Sequence, residues 1–336
     1  MIKKQKFNII IILALLIGLL GWGISLTSMK AHAAAPKYYV RSSYSGDCTS
    51  WDTACDLQMA LSKAGEGDII WVAAGTYKPT TGDNREATFQ LKSGVEIYGG
   101  FPENGGGWEQ RNWKTHHTIL SGDIGAEHNS YHVVTGSDVD ESAVLDGFTI
   151  TGGNADFENL HDYGGGMYNI AGSPSLRNLI FIKNVAVKGG GGMYNASGSE
   201  PILEEITFTA NTAEYGGGMY NRHCSPSLTE VNFTDNTAED GGGGIYNNGG
   251  SPSLTKSYFT GNTAEDGGGM YNDGSNPSLT EINFSANTAE YGGGMYNDGS
   301  NPSLTEVNFS ANTAEYGGGM YNDGSSPNLM KVVLPT

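Results

Sequence analysis

Beyond about residue 160 the apolar positions recur with a period too long for a single helix or strand. A Gly-Gly-Gly-Met-Tyr-Asn element places its Met (once Ile) at 167, 193, 219, 245, 270, 295 and 320. A proline-led element, mostly Ser/Asn-Pro-Ser-Leu, follows with Pro at 174, 201, 226, 252, 277, 302 and 327. Between them stands Phe-x-x-Asn, running from Phe181/Asn184 through Phe208/Asn211, Phe233/Asn236, Phe259/Asn262 and Phe284/Asn287 to Phe309/Asn312. Three motifs sharing a spacing of 25 to 27 residues define a repeat array.

One unit, Pro277 to Asn301, shows what the pattern builds. Leu279 to Phe284 reads as a short strand with Ile282 and Phe284 on one face. Gly292-Gly293-Gly294 permits a bend that side chains would block, and Met295-Tyr296-Asn297 reads as a second strand. Asn297-Asp298-Gly299-Ser300-Asn301-Pro302 is turn chemistry. Two or three short strands per unit and no helix predict an all-β fold, a right-handed parallel β-helix. Equivalent residues then stack at ~4.8 Å. Phe, Ile/Val and Met columns fill the interior, and Asn columns hydrogen-bond up the stack. Alternation puts Met and Tyr on opposite faces, so the column Tyr168, Tyr194, Tyr220, Tyr246, Tyr271, Tyr296 and Tyr321 is expected outside, where the rings either stack to stabilise the wall or face a ligand.

The chain before the array is less regular. Residues 34–154 are expected to form an N-terminal cap and irregular first coils, and residues 155–336 about seven repeats. A short helical pattern after Asp56, Leu57 to Ala64, would cover the open end of the stack. Strand candidates follow at Ile69–Val72, Val95–Ile97, Thr118–Leu120, His132–Val134 and Leu145–Thr151. At the start, Lys3, Lys4 and Lys6 precede an apolar run from Ile9 to Leu20, and Ala31-His32-Ala33 supplies small residues for cleavage. Residues 1–33 therefore read as a secretory signal cut after Ala33. Beyond it no stretch is apolar enough for a transmembrane helix.

Composition narrows the partners. Glycine accounts for 51 of 336 residues, about twice the usual ~7%. The formal charge is −18, and without the four lysines of the signal segment 14 basic residues face 36 acidic ones, or −22. Such a surface repels phosphate backbones and excludes a nucleic-acid partner. Export places Cys48 and Cys55 where two nearby thiols are expected to pair, while Cys224 has no partner in sequence.

The motif pair Gly-Gly-Gly-Met/Ile-Tyr-Asn and Phe-x-x-Asn resembles the polymorphic outer membrane protein repeat, whose hallmarks are a Gly-Gly-Ala-Ile-like element and Phe-x-x-Asn. The head resembles the start of pectate-lyase-like right-handed β-helices. The matching segments are Gly67-Asp68-Ile69-Ile70-Trp71-Val72, Gly75-Thr76-Tyr77, Tyr98-Gly99-Gly100-Phe101 and Leu145-Asp146-Gly147-Phe148-Thr149-Ile150. This resemblance implies a secreted or surface-displayed β-helix, with adhesion or structural display as the usual role and no active site attached. Many such proteins end in a membrane-embedded barrel or another anchoring module. With Leu334-Pro335-Thr336 coming half a coil after the last Gly-Gly-Gly-Met, the array is expected to be truncated.

Candidate chemistry is sparse, and no catalytic residue is assigned. A polysaccharide lyase or hydrolase is the alternative on this fold, and it needs a base beside acid-bound Ca²⁺ or paired carboxylic acids. From residue 155 on, the basic residues Arg177, Lys183, Lys188, Arg222, Lys256 and Lys331 form no repeating column. His128 and His132 have a helical zinc spacing but sit in loop and strand, so no metal site is expected. Glu214, Glu239, Glu265, Glu290 and Glu315 do form a column. Its carboxylates are expected to splay into solvent, with Ca²⁺ bridging them, alongside Asp240 and Asp266, as the other outcome. A Thr ladder (Thr212, Thr237, Thr263, Thr288 and Thr313) lacks the second rank that ice binding requires. The expected partners of the exposed tyrosines are glycans or other cell-surface molecules.

Overall fold

The computed structural model describes residues 35–125, 128–159 and 161–334; the segment at 1–33, expected from the sequence to be a secretory signal, lies outside them. The unit from Pro277 to Asn301 makes four short strands: Ser278–Thr280, Asn283–Ser285, Thr288–Tyr291 and Met295–Asp298. Each runs parallel to its counterpart one unit on. Leu279 pairs with Leu304, Phe284 with Phe309, Ala289 with Ala314 and Met295 with Met320. Repetition stacks these strands into the four walls of a parallel β-solenoid.

The sequence pattern suggested two or three strands per coil, and single left-handed residues account for the difference. Glu281 has φ +57° and turns the chain between the first two walls, as do Glu205, Glu230, Lys256 and Glu306 in their own coils. That conformation is uncommon for residues with a Cβ. Here the stack secures it, because the Glu281 N–H donates to Thr305 O one coil on at 3.0 Å. The bend lets Leu279, Ile282 and Phe284 all face inward, and none has more than a trace of exposed surface. The glycine triplet makes another corner. Gly292 has φ +64°, and a Cβ on Gly294 would lie 2.5 Å from Gly319 O. Only a glycine permits that approach of adjacent coils.

The head belongs to the same solenoid. The first wall starts at Tyr38–Val40 and passes through Ile69–Ala73, Glu96–Phe101 and Val144–Asp146 before entering the array at Ser175–Arg177. The segment expected as one strand, Leu145 to Thr151, divides around Gly147 at φ +86° into Val144–Asp146 and Thr149–Thr151. The predicted helix forms at Leu57–Lys63. Asp56 caps it by accepting the Met59 N–H at 2.9 Å, and Leu57, Ala60 and Leu61 are buried. The structure joins Cys48 to Cys55, with Cα atoms 4.8 Å apart, just before this helix. Cys224 is free and buried.

Two kinds of interior column hold the coils together. Rings of Phe181, Phe208, Phe233, Phe259, Phe284 and Phe309 stack with centroids 4.6–4.9 Å apart and planes within 16°. Beside them runs the asparagine ladder from Asn184 to Asn312. Asn236 Oδ1 accepts from both the backbone N–H (3.1 Å) and Nδ2 (3.0 Å) of Asn211, while its own Nδ2 donates to Phe208 O at 2.9 Å. A second ladder links Asn169 through Asn195, Asn221, Asn247, Asn272 and Asn297 to Asn322, Nδ2 to Oδ1, at 2.8–2.9 Å. An amide can donate and accept along one axis at once, so the ladders satisfy their amides up the stack, and only Asn169 Oδ1, where the second ladder begins, is left without a partner.

Candidate functional site

The fourth wall carries Met-Tyr-Asn, and strand alternation separates its side chains as the sequence predicts. Met167, Met193, Met219, Met270 and Met295 are fully buried, and the tyrosines beside them lie outside the core in an aromatic cluster of their own. Successive rings of the column from Tyr168 to Tyr321 sit 4.7–5.8 Å apart, some stacked and others edge to face. Their surfaces are unequal. Tyr194, Tyr220 and Tyr246 are only 4–8% exposed, whereas Tyr168, Tyr271, Tyr296 and Tyr321 keep more open surface.

A second aromatic set explains the cover, and motif reading missed it. The residue just before the last three glycines of each run is paired from coil to coil: Tyr163, Gly189, Tyr215, Gly241, Asp266, Tyr291 and Tyr316. Tyr163 stacks on Tyr194 at 4.5 Å, and Tyr215 lies 5.1 Å from Tyr246. The glycines in this column make room for rings. A Cβ on Gly189 would meet Tyr220 Cδ1 at 2.3 Å, and one on Gly241 would meet Tyr271 Cδ1 at 2.4 Å. Because its residues change from coil to coil, the column shows no repeat in sequence.

Charge divides this face along its length. The position two after each column tyrosine is Ile170, Ala196, Arg222, Asn248, Asp273, Asp298 and Asp323 in turn. The beginning is therefore apolar to basic and the end acidic. Burial raises the Tyr194 hydroxyl to about 12, and Tyr246 rises further as burial combines with the Asp273 charge. Asp266 is raised to about 6, first by burial and then by Glu265, Glu290, Asp240 and Asp298. A groove of about 560 Å³ opens at the basic end, lined by Tyr163, Tyr168, Tyr194, Asp162 and Arg222.

The other sequence candidates fall elsewhere. Glu239, Glu265, Glu290 and Glu315 are exposed, and Glu214 pairs with Lys188 at 2.6 Å. Among the described residues no three acidic, His or Cys side chains converge as metal ligands. His128 is exposed and apart from His132. His132 is buried, its Nε2 lies 2.9 Å from His161 Nδ1, and its Nδ1 lies 3.0 Å from Gly164 O. Burial lowers His132 to about 4. Its ring stacks on Tyr168 at 4.7 Å, extending the aromatic column into the head. His161 escaped sequence reading because it belongs to no repeat and meets His132 across 29 residues.

With this geometry in hand, comparison with known proteins adds three findings. The model of the Chlamydia polymorphic membrane protein (Chlamydia_PMP) repeat matches residues 230–248. No curated protein matches the chain. A solved structure described as "Crystal structure of pectate lyase Pel9A" aligns with TM-score 0.49 and 10% sequence identity, over 86% of this chain and 78% of that one. The matched segment spans the first-wall corner at Glu230, the Phe233/Asn236 pair and the glycine quartet with Ile245-Tyr246-Asn247, and so covers three of the four walls of one coil. No helix among the described residues is long and apolar enough to cross a membrane. The chain is thus a parallel β-solenoid in which residues 230–248 are similar to the polymorphic membrane protein repeat.

Proposed function

We propose that this protein is an exported, surface-displayed stalk whose tyrosine face makes repeated contacts with glycans on another surface, without catalysis. The observation that carries this reading is the outer tyrosine column, which continues over seven coils beside acid and amide side chains. Aromatic faces next to hydrogen-bonding groups suit sugars, whose own faces are flat and apolar with polar rims. Weak contacts repeated along one rigid body add up through effective concentration. Export is supported by the basic and apolar N-terminal pattern. Display is supported by the membrane-protein family in whose name the matched repeat stands. The coil is taken as right-handed, the hand of about 98% of parallel crossovers, with the helix Leu57–Lys63 as the lid on its first turn.

A non-catalytic role is supported by the array's own redundancy. Residues 270–294 and 295–319 differ only at Ile282 and Val307. A single reaction centre needs a constellation found once, and duplicated coils supply the same groups twice. The test is a glycan array probed with the mature chain, alongside incubation with polygalacturonate and Ca²⁺. Specific glycan retention that falls when Tyr271 and Tyr296 are both changed to Ala is expected. Calcium-dependent release of unsaturated sugars would overturn the reading in favour of a lyase.

A further inference from the structure

Arg222 stands apart from the other arginine of the array. Arg177 pairs with Glu204 at 2.9 Å, whereas among the described residues Arg222 is in no ion pair. Its side chain is exposed, in a chain whose formal charge is −18. A free guanidinium amid so many carboxylates is unusual, and its surroundings show what it faces. It lies in the groove at the basic end of the tyrosine face, with the rings of Tyr163, Tyr168 and Tyr194. Tyr194 beside it holds its ionisation above the ordinary arginine value.

Three local features keep the groove open and the charge available. The position one coil back is Ala196, so no long side chain fills the space before Arg222. Lys188, which also borders Tyr163, is occupied by Glu214 at 2.6 Å. Asp162, the carboxylate in the wall, is 8% exposed and accepts the Asn159 N–H at 3.1 Å, so it is committed to its own loop. Farther along the face the position of Arg222 becomes Asn248 and then Asp273, Asp298 and Asp323. Carboxylates therefore oppose an anion over the far end of this face, and Arg222 is the one cation of the series.

We propose that this groove takes the carboxylated sugar unit of an acidic glycan. Arg222 grips the carboxylate through its planar fork of donors, and Tyr163 and Tyr168 supply the faces against which the sugar ring packs. This rests on the glycan-contact reading above and deepens it by naming a ligand class and a single subsite.

The test uses one chemical pair, a glucuronate-containing trisaccharide and its methyl ester, titrated into the mature chain by calorimetry. The two differ in charge at the carboxyl group and little in shape. The acid is expected to bind at least about tenfold more tightly than the ester, the scale of one charge-assisted contact. Arg222→Gln removes that discrimination, bringing the acid down to the affinity of the ester, and Arg222→Lys restores part of it. Circular dichroism checks that the variants keep the strand content of the parent. Equal affinity for acid and ester, or an acid preference that survives Arg222→Gln, overturns the proposal. If neutral glycans are retained on the array without acid discrimination, the subsite is wrong while the adhesive reading stands. If the acid binds through Arg222 but no surface is retained, the adhesive reading fails while the subsite stands.

Discussion

The interior columns and the tyrosine face are built on the same coils, yet they treat sequence in opposite ways. Inside, the column from Phe181 to Phe309 never changes residue, and neither does the asparagine ladder from Asn184 to Asn312. Outside, the column starting at Tyr163 passes through Gly, Tyr, Gly and Asp before returning to Tyr. A buried ring must match the ring above and below it, because a smaller neighbour leaves a void and a larger one a clash. An outer ring can lean over a glycine or give way to a carboxylate that water solvates. Uniformity thus belongs to the fold, and variation marks the surface on which recognition can be written.

The sharpest test of this contrast compares two rings of comparable size, one on the second wall and one on the fourth. Phe259 is fully buried, with Phe233 at 4.8 Å and Phe284 at 4.6 Å. Tyr271 is half-buried outside, with Tyr246 at 4.9 Å and Tyr296 at 4.7 Å. Phe259→Ala is expected to cost about 3–5 kcal/mol, the range for a buried aromatic. Tyr271→Ala should cost less than half of that, since part of its area is already wet. Urea unfolding of the two variants checks this, and equal losses would break the distinction between wall interior and face.

A somewhat smaller effect is expected from Asn236→Ala. The substitution strips the acceptor from both the Asn211 N–H and the Asn211 amide, leaving two buried donors unpaired. At about 1–3 kcal/mol for each orphaned group, the total is roughly 2–4 kcal/mol after local relaxation. Hydrogen exchange should show the loss spreading from the coil at 236 to its immediate neighbours, because in a solenoid each coil contacts only those beside it. Protection lost uniformly over the whole array would mean that the ladder acts as one cooperative unit.

Part of this was legible in the sequence, and the dividing line is physical. The period, the glycine corners, the Phe and Asn columns and the Met/Tyr alternation were all readable, because residues stacked in identical environments repeat identically. The four-walled coil was not. Its hidden corner rests on Glu281 or Lys256 in a left-handed conformation, and neither residue type announces that geometry. Stacked backbone hydrogen bonds impose it, and those exist only once the neighbouring coil is in place. Likewise the pairing of His132 with His161 and the isolation of Arg222 depend on distances across coils. The candidate groove is made by departures from the repeat, at Ala196 and Arg222, and a search for repetition passes over such positions.

The smallest predicted effect concerns pH, and its sign should differ between two parts of the chain. His132 is held at about 4 by burial, below its ordinary 6.5. Between those values the unfolded chain binds the extra proton, so the stability conferred by neutral His132 is complete above 6.5 and is lost as pH falls towards 4. Asp266 is raised from 3.8 to about 6 by burial and by the carboxylates around it. There the folded chain binds the extra proton, so the strain present above 6 is relieved as pH falls towards 4. Hydrogen exchange, corrected for intrinsic rates, should show protection falling around 132–134 and holding or rising around 264–267 when pH drops from about 7 to about 5. Asp266→Asn removes the second term alone. Its melting temperature should exceed the parent's by only about 1–2 °C near neutrality, because Asp266 is partly solvated, and the gap should close in acid. A gap that persists in acid would assign the gain to packing, and Asp266 would then be a misfit of shape in the tyrosine column, with its charge of no consequence.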